Sequence, residues 1–248
     1  MSQSGQALSF RSALSTLLIV VVALAGGAPP DAVADTVSAG VDYAVIPARL
    51  AGTSPNDLGT WTVDYERLAG GDAAVTDPIN QILDDEAAGQ VATYVASSSH
   101  NTAWTFHTQG RLLFRPVTIS ALFLGEYNAF ELPNMPFQTV ATRVFDARSG
   151  IQIVWENLFA DKQAGLVRLS EQTKKILPTA YPAPLGGWAE YGPNMAPLER
   201  NFRAWVPTAA GIELHFPDRQ FGRGLHVITV PWSAVIDLIA PDFVPITS

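Results

Sequence analysis

The segment Gln138-Thr-Val-Ala-Thr-Arg-Val-Phe-Asp-Ala-Arg-Ser-Gly-Ile-Gln-Ile-Val154 carries the pattern that decides the fold. Valine, threonine, isoleucine and phenylalanine, which favour pleated structure, dominate both of its ends. Asp146 to Gly150 lies between them and is rich in turn formers, and Gly150 can take the positive φ that a tight connection needs. We therefore predict a strand over 138–146, a hairpin-like connection and a return strand over 151–154.

The same chemistry predicts further strands on both sides of this segment. Apolar and polar residues alternate from Trp61 to Glu66, which is the period of a half-buried strand. Residues 102–124 are rich in β-branched and aromatic side chains, which predicts strands over about 102–108 and 111–124, with a turn at Gln109-Gly110 between them and a kink near Pro116 in the second. The remaining predicted strands cover 202–206, 211–216 and 225–230.

Three helices are predicted between these strands. Asp77 and Pro78 are typical of an N-cap and a first helical position, so a helix begins there and either ends at Gly89 or continues through it to about Ala96. Residues 163–177 carry an apolar side and end at Pro178. Pro231 opens a C-terminal helix. Strands and helices without regular βαβ alternation indicate an α+β fold with an antiparallel or mixed sheet and packed helices.

The N-terminus has the features of a secretory signal peptide. Arg11 precedes an apolar run from Leu17 to Ala25, and Ala32-Val33-Ala34 is a small-residue cleavage site. The run is shorter than the roughly 20 residues that span a bilayer. We predict cleavage after Ala34, with an uncleaved anchor as the alternative. The organisation follows as a signal peptide (1–34), an N-terminal α+β part (35–140) and a C-terminal α+β part (141–248).

Composition excludes several classes of function. The net charge of −8 disfavours nucleic-acid binding and adhesion to anionic lipid. The chain has no cysteine, which rules out disulfides, thiolate metal sites and a cysteine nucleophile. We predict no cofactor, no metal site and no stable membrane span after cleavage. Arginine outnumbers lysine, and alanine and glycine are abundant, which indicates a GC-rich genome of the actinobacterial kind.

Several segments resemble a known family of extracellular domains. Residues 144–151, followed by Glu156-Asn157-Leu158-Phe159, are similar to a strand, D-x-x-[ST]-G turn and D-L-F-like turn, and residues 211–238 resemble the closing strands and helix. Residues 61–82 resemble the companion N-terminal segment. The family is that of the C-terminal domain of the lysozyme-sensing anti-sigma factor RsiV, shared with the peptidoglycan enzyme PdaC and a secreted immunogenic protein of mycobacterial culture filtrates. Residues 130–137 lack the histidine of the family's turn.

The sequence nominates few catalytic residues. The G-x-S-x-G nucleophile elbow is absent. Ser97 to Ser99 beside His100 is typical of a helix end, and Ser233 is placed to cap or face solvent at the last predicted helix. A symmetric hairpin around 217–224 would place His215 opposite His226, about 5 Å apart at Cβ, with Glu213 on the same face. That cluster suits an acid/base pair or half of a metal site, whereas neutral histidines on a solvated face are the alternative.

Two further segments are predicted to lie at the surface, an acidic run and an aromatic segment. The acidic run Asp84-Asp85-Glu86 diverges around a helix and is predicted to be a solvated face that does not converge on an ion. The segment 178–197 is predicted to be a long surface loop. Its Tyr181, Trp188 and Tyr191 are candidates for binding a ligand, unless Trp188 folds back over the core.

Two functions therefore stand as hypotheses. The first is a secreted protein, with the cell wall as a second location, that binds an envelope glycan or an extracellular protein. The alternative is a secreted serine-type esterase acting on acyl esters, with a serine working beside His100, His107, His215 or His226. Lysozyme sensing is a third hypothesis, which the shortness of residues 1–16 disfavours.

Overall fold

Strands of two main sheets and three α-helices organise the part of the chain that the structure describes. The structure is a computed structural model that describes residues 20–21, 36–98, 101–129 and 136–248. The strands are β1 (Val20–Val21), β2 (Val37–Ser38), β3 (Val41–Asp42), β4 (Ala44–Thr53), β5 (Gly59–Ala69), β6 (Trp104–Phe114), β7 (Thr118–Ala129), β8 (Phe137–Asp146), β9 (Trp205–Pro207), β10 (Gly211–Phe216) and β11 (His226–Pro231). The α-helices are α1 (Ala73–Ser97), α2 (Trp155–Leu158) and α3 (Lys162–Ala180).

The large sheet is mixed and the small sheet is antiparallel. The large sheet has the order β1-β4-β5-β6-β7-β8, and only β5 and β6 run parallel, joined by the crossover helix α1. The small sheet has the order β11-β10-β9, and β2 and β3 form a separate short hairpin. Sheets of both kinds with packed helices confirm the predicted α+β fold.

Helix α1 begins five residues before its predicted start. The carboxylate of Asp72 accepts a hydrogen bond from the amide of Ala74 at 2.9 Å, so Asp72 is the N-cap and Pro78 lies inside the helix. Buried residues recur at four-residue spacing on the face that packs against the sheet: Ile79, Leu83, Ala87 and Val91. This stripe lies in a first core together with the inward side chains of β5, β6 and β7.

Helix α3 shows a similar difference at its other end. Asp161 caps it, and Leu166, Leu169 and Leu177 are buried along one face, as predicted. The helix continues past Pro178 to Ala180, because the amide of Tyr181 still bonds the carbonyl of Leu177 and closes the last turn. A proline this near the end disturbs few bonds.

Three further expectations are wrong in detail. The predicted strand over 111–124 is the end of β6 and the start of β7, so the predicted turn at Gln109-Gly110 lies inside β6. The chain turns instead at Pro116, where Arg115 N donates to Thr118 O at 2.9 Å. The return strand after Gly150 is reduced to a bridge between Phe145 and Gln152. The C-terminal helix is three short 3-10 helices, Trp232–Ala234, Ile236–Leu238 and Pro241–Thr247, because Val235 has a non-helical φ of −134° and Pro241 starts a separate turn.

Strand β8 serves two hydrophobic cores. Phe145 packs into the core of α1 and the large sheet, whereas its neighbour Val144 packs into a second core with α3 and the small sheet. Successive side chains of a strand point to opposite faces, so one strand can contribute to both. The predicted boundary between residues 140 and 141 therefore falls inside a strand that both parts share.

The predicted signal peptide and its cleavage site lie outside the described residues, apart from β1. The backbone of Val20 pairs with Ala51, and that of Val21 with Leu50, at the edge of the large sheet. Among the described residues, no helix combines the length and the apolar character needed to cross a membrane.

Candidate functional site

The two histidines of the small sheet do not face each other. His215 pairs with Val227, and His226 pairs with Phe216, so the predicted register is wrong by one residue. The reason lies in the loop between β10 and β11. The predicted register pairs Leu225 with Phe216, whereas the amide of Leu225 bonds the side-chain oxygen of Gln138 at 2.8 Å and the amide of Asp218 bonds its carbonyl at 3.1 Å. A slip of one residue turns a side chain to the opposite face.

His215 and Glu213 nevertheless form a close pair. His215 Nε2 lies 2.9 Å from Glu213 Oε1, and the imidazole is 6% exposed. The hydrogen bond from His215 holds the pKa of Glu213 below its usual range. His215 Nδ1 is buried without a hydrogen-bond partner among the described residues. The carboxylate and the imidazole are thus held together within the small sheet. They lie two residues apart on one face of β10, as predicted.

No described serine joins this pair. Ser233 is exposed just after Pro231, at the end of β11 opposite to His226. His215 pairs with Val227, and four residues of extended strand separate Val227 from Pro231, which corresponds to about 13 Å. Ser97 and Ser98 donate to the helix carbonyls of Thr93 and Val95. Ser99 and His100 lie outside the described residues, and the geometry brings no predicted nucleophile to a histidine.

The aromatic segment after α3 is built into the second core. Trp188–Met195 is a 3-10 helix, where a long loop was predicted. Trp188 and Tyr191 each pack against Phe221 with ring centroids 6.2 Å apart. Tyr181 OH donates to Val227 O and accepts from Val227 N, at 3.1 and 2.8 Å. These rings therefore hold the segment onto the small sheet, with only their outer edges accessible.

His226 and His107 also have structural contacts. The ring of His226 lies against Tyr181 at a centroid distance of 4.6 Å. His107 is exposed on the outer face of the large sheet, where Nδ1 lies 2.6 Å from Thr62 Oγ1. The three acidic residues of α1 diverge to separate partners, as predicted: Asp84 to Tyr65, Asp85 to Gln81 and Glu86 to Arg143. The predicted solvated face is wrong for Glu86, whose side chain is only 9% exposed beside Arg143. No group of three metal-ligating side chains occurs in the described ranges.

A groove runs between α1 and the segment that leads into β9. Cavities of about 340, 160 and 230 Å³ meet along it, and Arg203 lines all three. A further cavity of about 410 Å³ extends it along α1 past Gly89. Strand β8 forms its floor. We call this feature the β8 groove. Its walls come from α1 on one side and from Arg203 and Ala204 on the other, so each half of the chain supplies one wall.

The two arginines Arg143 and Arg203 of the β8 groove differ in their partners. Arg143 forms an ion pair with the largely buried Glu86 and also donates to its neighbour's carbonyl, Thr142 O, at 2.9 Å. Arg203 is exposed and has no ion pair or hydrogen bond with any described residue. It approaches Tyr94, whose pKa is raised by burial and partly lowered again by Thr139 and Arg203. The groove therefore contains two cations without an acidic partner in the described structure, Arg203 and Arg219, and the second lies over the ring of Phe137.

Aromatic rings stack at one end of the β8 groove. Tyr94 lies between Phe106 at 4.0 Å and Tyr127 at 5.6 Å, and Tyr127 in turn stacks on Phe137 at 6.5 Å. The guanidinium of Arg219 lies 3.8 Å from the centroid of the Phe137 ring. The faces of these rings are thus covered by neighbouring rings and by the guanidinium of Arg219.

Sequence reasoning missed this groove, although one residue gave a signal. Gly89 sits in the middle of α1, where glycine costs about 1 kcal/mol relative to alanine. It lines the groove, and a Cβ built on it would meet nothing within 4 Å. The glycine therefore keeps a wall of the groove free of side chain. Arg203 carried no recognisable pattern, because its position depends on how the two halves pack.

Comparison with known proteins gives a likeness of fold. No protein-family model matches the chain, and no curated protein matches it. A solved member of the DUF3298 family from Bacteroides fragilis is 10% identical, with a TM-score of 0.54 over 80% of this chain and 94% of its own. A DUF3298 family protein from Pseudomonas aeruginosa is 14% identical, with a TM-score of 0.50 over 80% of this chain and 96% of its own. The chain is therefore similar in fold to these two proteins.

Proposed function

We propose that the chain is an exported binding protein of the RsiV-like family, of actinobacterial type, and that its ligand binds in the β8 groove. The observation that carries the proposal is the meeting of four cavities at the seam of the two halves, around Arg143 and Arg203. Ligand sites favour such concave junctions. The predicted signal peptide supports a place outside the cell or at the cell wall, where an envelope glycan or an extracellular protein is the partner.

The aromatic segment 181–191 has a weaker claim to be the binding surface. Its rings are anchored to the second core by stacking and by the two hydrogen bonds of Tyr181. A side chain that holds the fold in this way is costly to move towards a ligand. The β8 groove, in contrast, has open volume and an unpaired cation.

The esterase hypothesis has one observation in its favour, the pair of His215 and Glu213 at 2.9 Å. A hydrolase also needs a nucleophile within hydrogen-bond reach of its base. No serine hydroxyl bonds a histidine anywhere in the described residues, and Ser233 is at the far end of the strand. Binding is therefore the function we favour.

A groove-filling substitution tests the proposal. Gly89→Phe places a ring in the groove at a position with open space, and Ala92→Phe adds the same ring to an exposed position of the same helix as the matched control. We expect Gly89→Phe to weaken cosedimentation with purified cell wall, or binding to the extracellular protein fraction, at least tenfold. Ala92→Phe should leave it unchanged.

Equal binding by both variants would overturn the groove as the site. Hydrolysis of short p-nitrophenyl esters that is abolished by His215→Ala or Ser233→Ala would favour the esterase instead. Circular dichroism of each variant shows whether the fold is retained, so a loss of binding can be separated from unfolding.

A further inference from the structure

Alternate residues of β8 direct their main-chain NH and C=O groups away from β7, and two observed hydrogen bonds show which residues these are. Gln138 O accepts from Asp218 N at 3.1 Å, and Val144 O accepts from Ile153 N at 2.7 Å. Both partners lie outside the large sheet. In an antiparallel pair, alternate residues direct their main-chain groups to the partner and away from it. The even-numbered residues of β8 therefore direct their NH and C=O away from β7.

Val140 lies between Gln138 and Val144, whose carbonyls are already hydrogen-bonded. Its NH and C=O face the β8 groove, and no described residue outside the strand pair supplies a partner for them. The next carbonyl, Thr142 O, is occupied by Arg143. This stretch thus offers one donor and one acceptor at Val140, which is 8% exposed, whereas Thr142 is 4% exposed and its hydroxyl accepts from Trp205 N at 2.9 Å. An unpaired donor and acceptor at a strand edge are the groups that an extended peptide uses to add to a sheet.

Charge indicates what such a peptide carries. Arg203 lines the same cavities as Val140, yet it has no acidic partner in the described structure, on a chain whose net charge is −8. A guanidinium recognises a carboxylate through two parallel hydrogen bonds. An acidic side chain, or the carboxylate of a peptide end, therefore complements the position of Arg203.

The aromatic rings argue against a sugar as the groove's own ligand. Sugar recognition uses the open face of a ring, but the faces of Tyr94, Tyr127 and Phe137 are stacked on one another and covered by Arg219. The wall opposite to Arg203 is opened by Gly89, whose missing side chain leaves room for a main chain to lie beside α1.

We propose that the β8 groove binds a short extended peptide segment, which pairs with the main chain of Val140 and directs a carboxylate at Arg203. This inference rests on the proposed binding function and names the class of its ligand. The pairing covers about three residues, because Gln138 and Val144 are already bonded on either side. The loop that holds Asp218 and the bridge that holds Ile153 close the two ends of the site.

Charge reversal tests the inference with defined probes. Two labelled pentapeptide pools alternate valine and threonine, one ending in glutamate with a free carboxylate and the other in lysine amide. By fluorescence anisotropy, we expect the intact protein to bind the acidic pool and Arg203→Glu to weaken that binding at least tenfold while improving binding of the basic pool. Arg200→Glu, an exposed arginine nearby that lines none of the groove's cavities, should behave as wild type. Hydrogen exchange should slow at the amide of Val140 on binding.

Other outcomes separate the two proposals. Equal binding of both pools, or equal effects of Arg203→Glu and Arg200→Glu, would overturn the peptide inference. Binding of peptide-free glycan fragments that Gly89→Phe abolishes, with neither pool bound, would also overturn it while leaving the groove as the binding site. If Gly89→Phe leaves binding to cell wall and to extracellular proteins unchanged, both proposals are wrong.

Discussion

The region of α1 and the large sheet satisfies its main-chain groups mainly through regular ladders, whereas residues 181–204 combine short turns with bonds from side chains. In the second region Trp155 Nε1 donates to Phe202 O at 3.1 Å, and Ser170 Oγ donates to Met195 O. In the first region the corresponding indole, Trp104 Nε1, is buried without a hydrogen-bond partner in the described part of the chain. The comparison shows that irregular chain can be held rigidly, provided that particular side chains bond its backbone.

Replacing these two tryptophans by phenylalanine should have the largest effect and tests the comparison directly. Trp155→Phe leaves the buried carbonyl of Phe202 without its donor, whereas Trp104→Phe removes an indole NH that has no partner. Both variants lose similar volume. We expect Trp155→Phe to destabilise the protein by about 1–3 kcal/mol more than Trp104→Phe, as measured by urea unfolding. The same loss for both would show that the side-chain bond does not support the second region.

A smaller effect is expected in the regular region. Gly89→Ala adds a methyl group in open space within α1, so it should stabilise the helix by about 0.8–1.0 kcal/mol. Thermal unfolding measures the gain. The same substitution should change ligand binding little, because a methyl group fills a small part of a groove cavity of about 340 Å³. A loss of stability would mean that the helix needs glycine there for its backbone.

The smallest predicted effect concerns pH and lies in the small sheet. His215 lowers the pKa of Glu213 in the folded state relative to its value of about 4.3 in an unfolded chain. The charged carboxylate therefore stabilises the fold above that pH, and this contribution is lost as the pH falls through the folded pKa. We expect wild type to exceed Glu213→Gln in stability at pH 6 and the difference to shrink by pH 3. A difference that does not change with pH would contradict this assignment.

Sequence reasoning predicted the α+β class, the alternating strand at Trp61 to Glu66 and the paired position of Glu213 and His215 on one strand. It also predicted Trp188 as a ring that could fold over the core, one of its two interpretations. Periodicity carries such information because burial of one face is a local property of a strand or helix. The His215 and His226 register was wrong because Gln138, 77 residues before His215, supplies the bonds that set the loop.

The candidate site could not be predicted in the same way. Val140 is an ordinary strand residue in the sequence, and its open NH and C=O follow from where Asp218 and Ile153 bond on either side. Arg203 is one of several arginines, and its lack of a partner depends on the geometry of the seam. Only Gly89, a glycine in a helical pattern, hinted at the groove.

The sequence by itself determined the classes of local structure, the net negative charge and the absence of cysteine chemistry, because each depends on residue type or short-range pattern. The tertiary structure alone decided that β8 serves two cores, that its outer edge is open at Val140 and that Arg203 faces this edge. These features arise where segments distant in sequence meet, and the free energy of that packing is shared among residues whose local patterns do not indicate their partners.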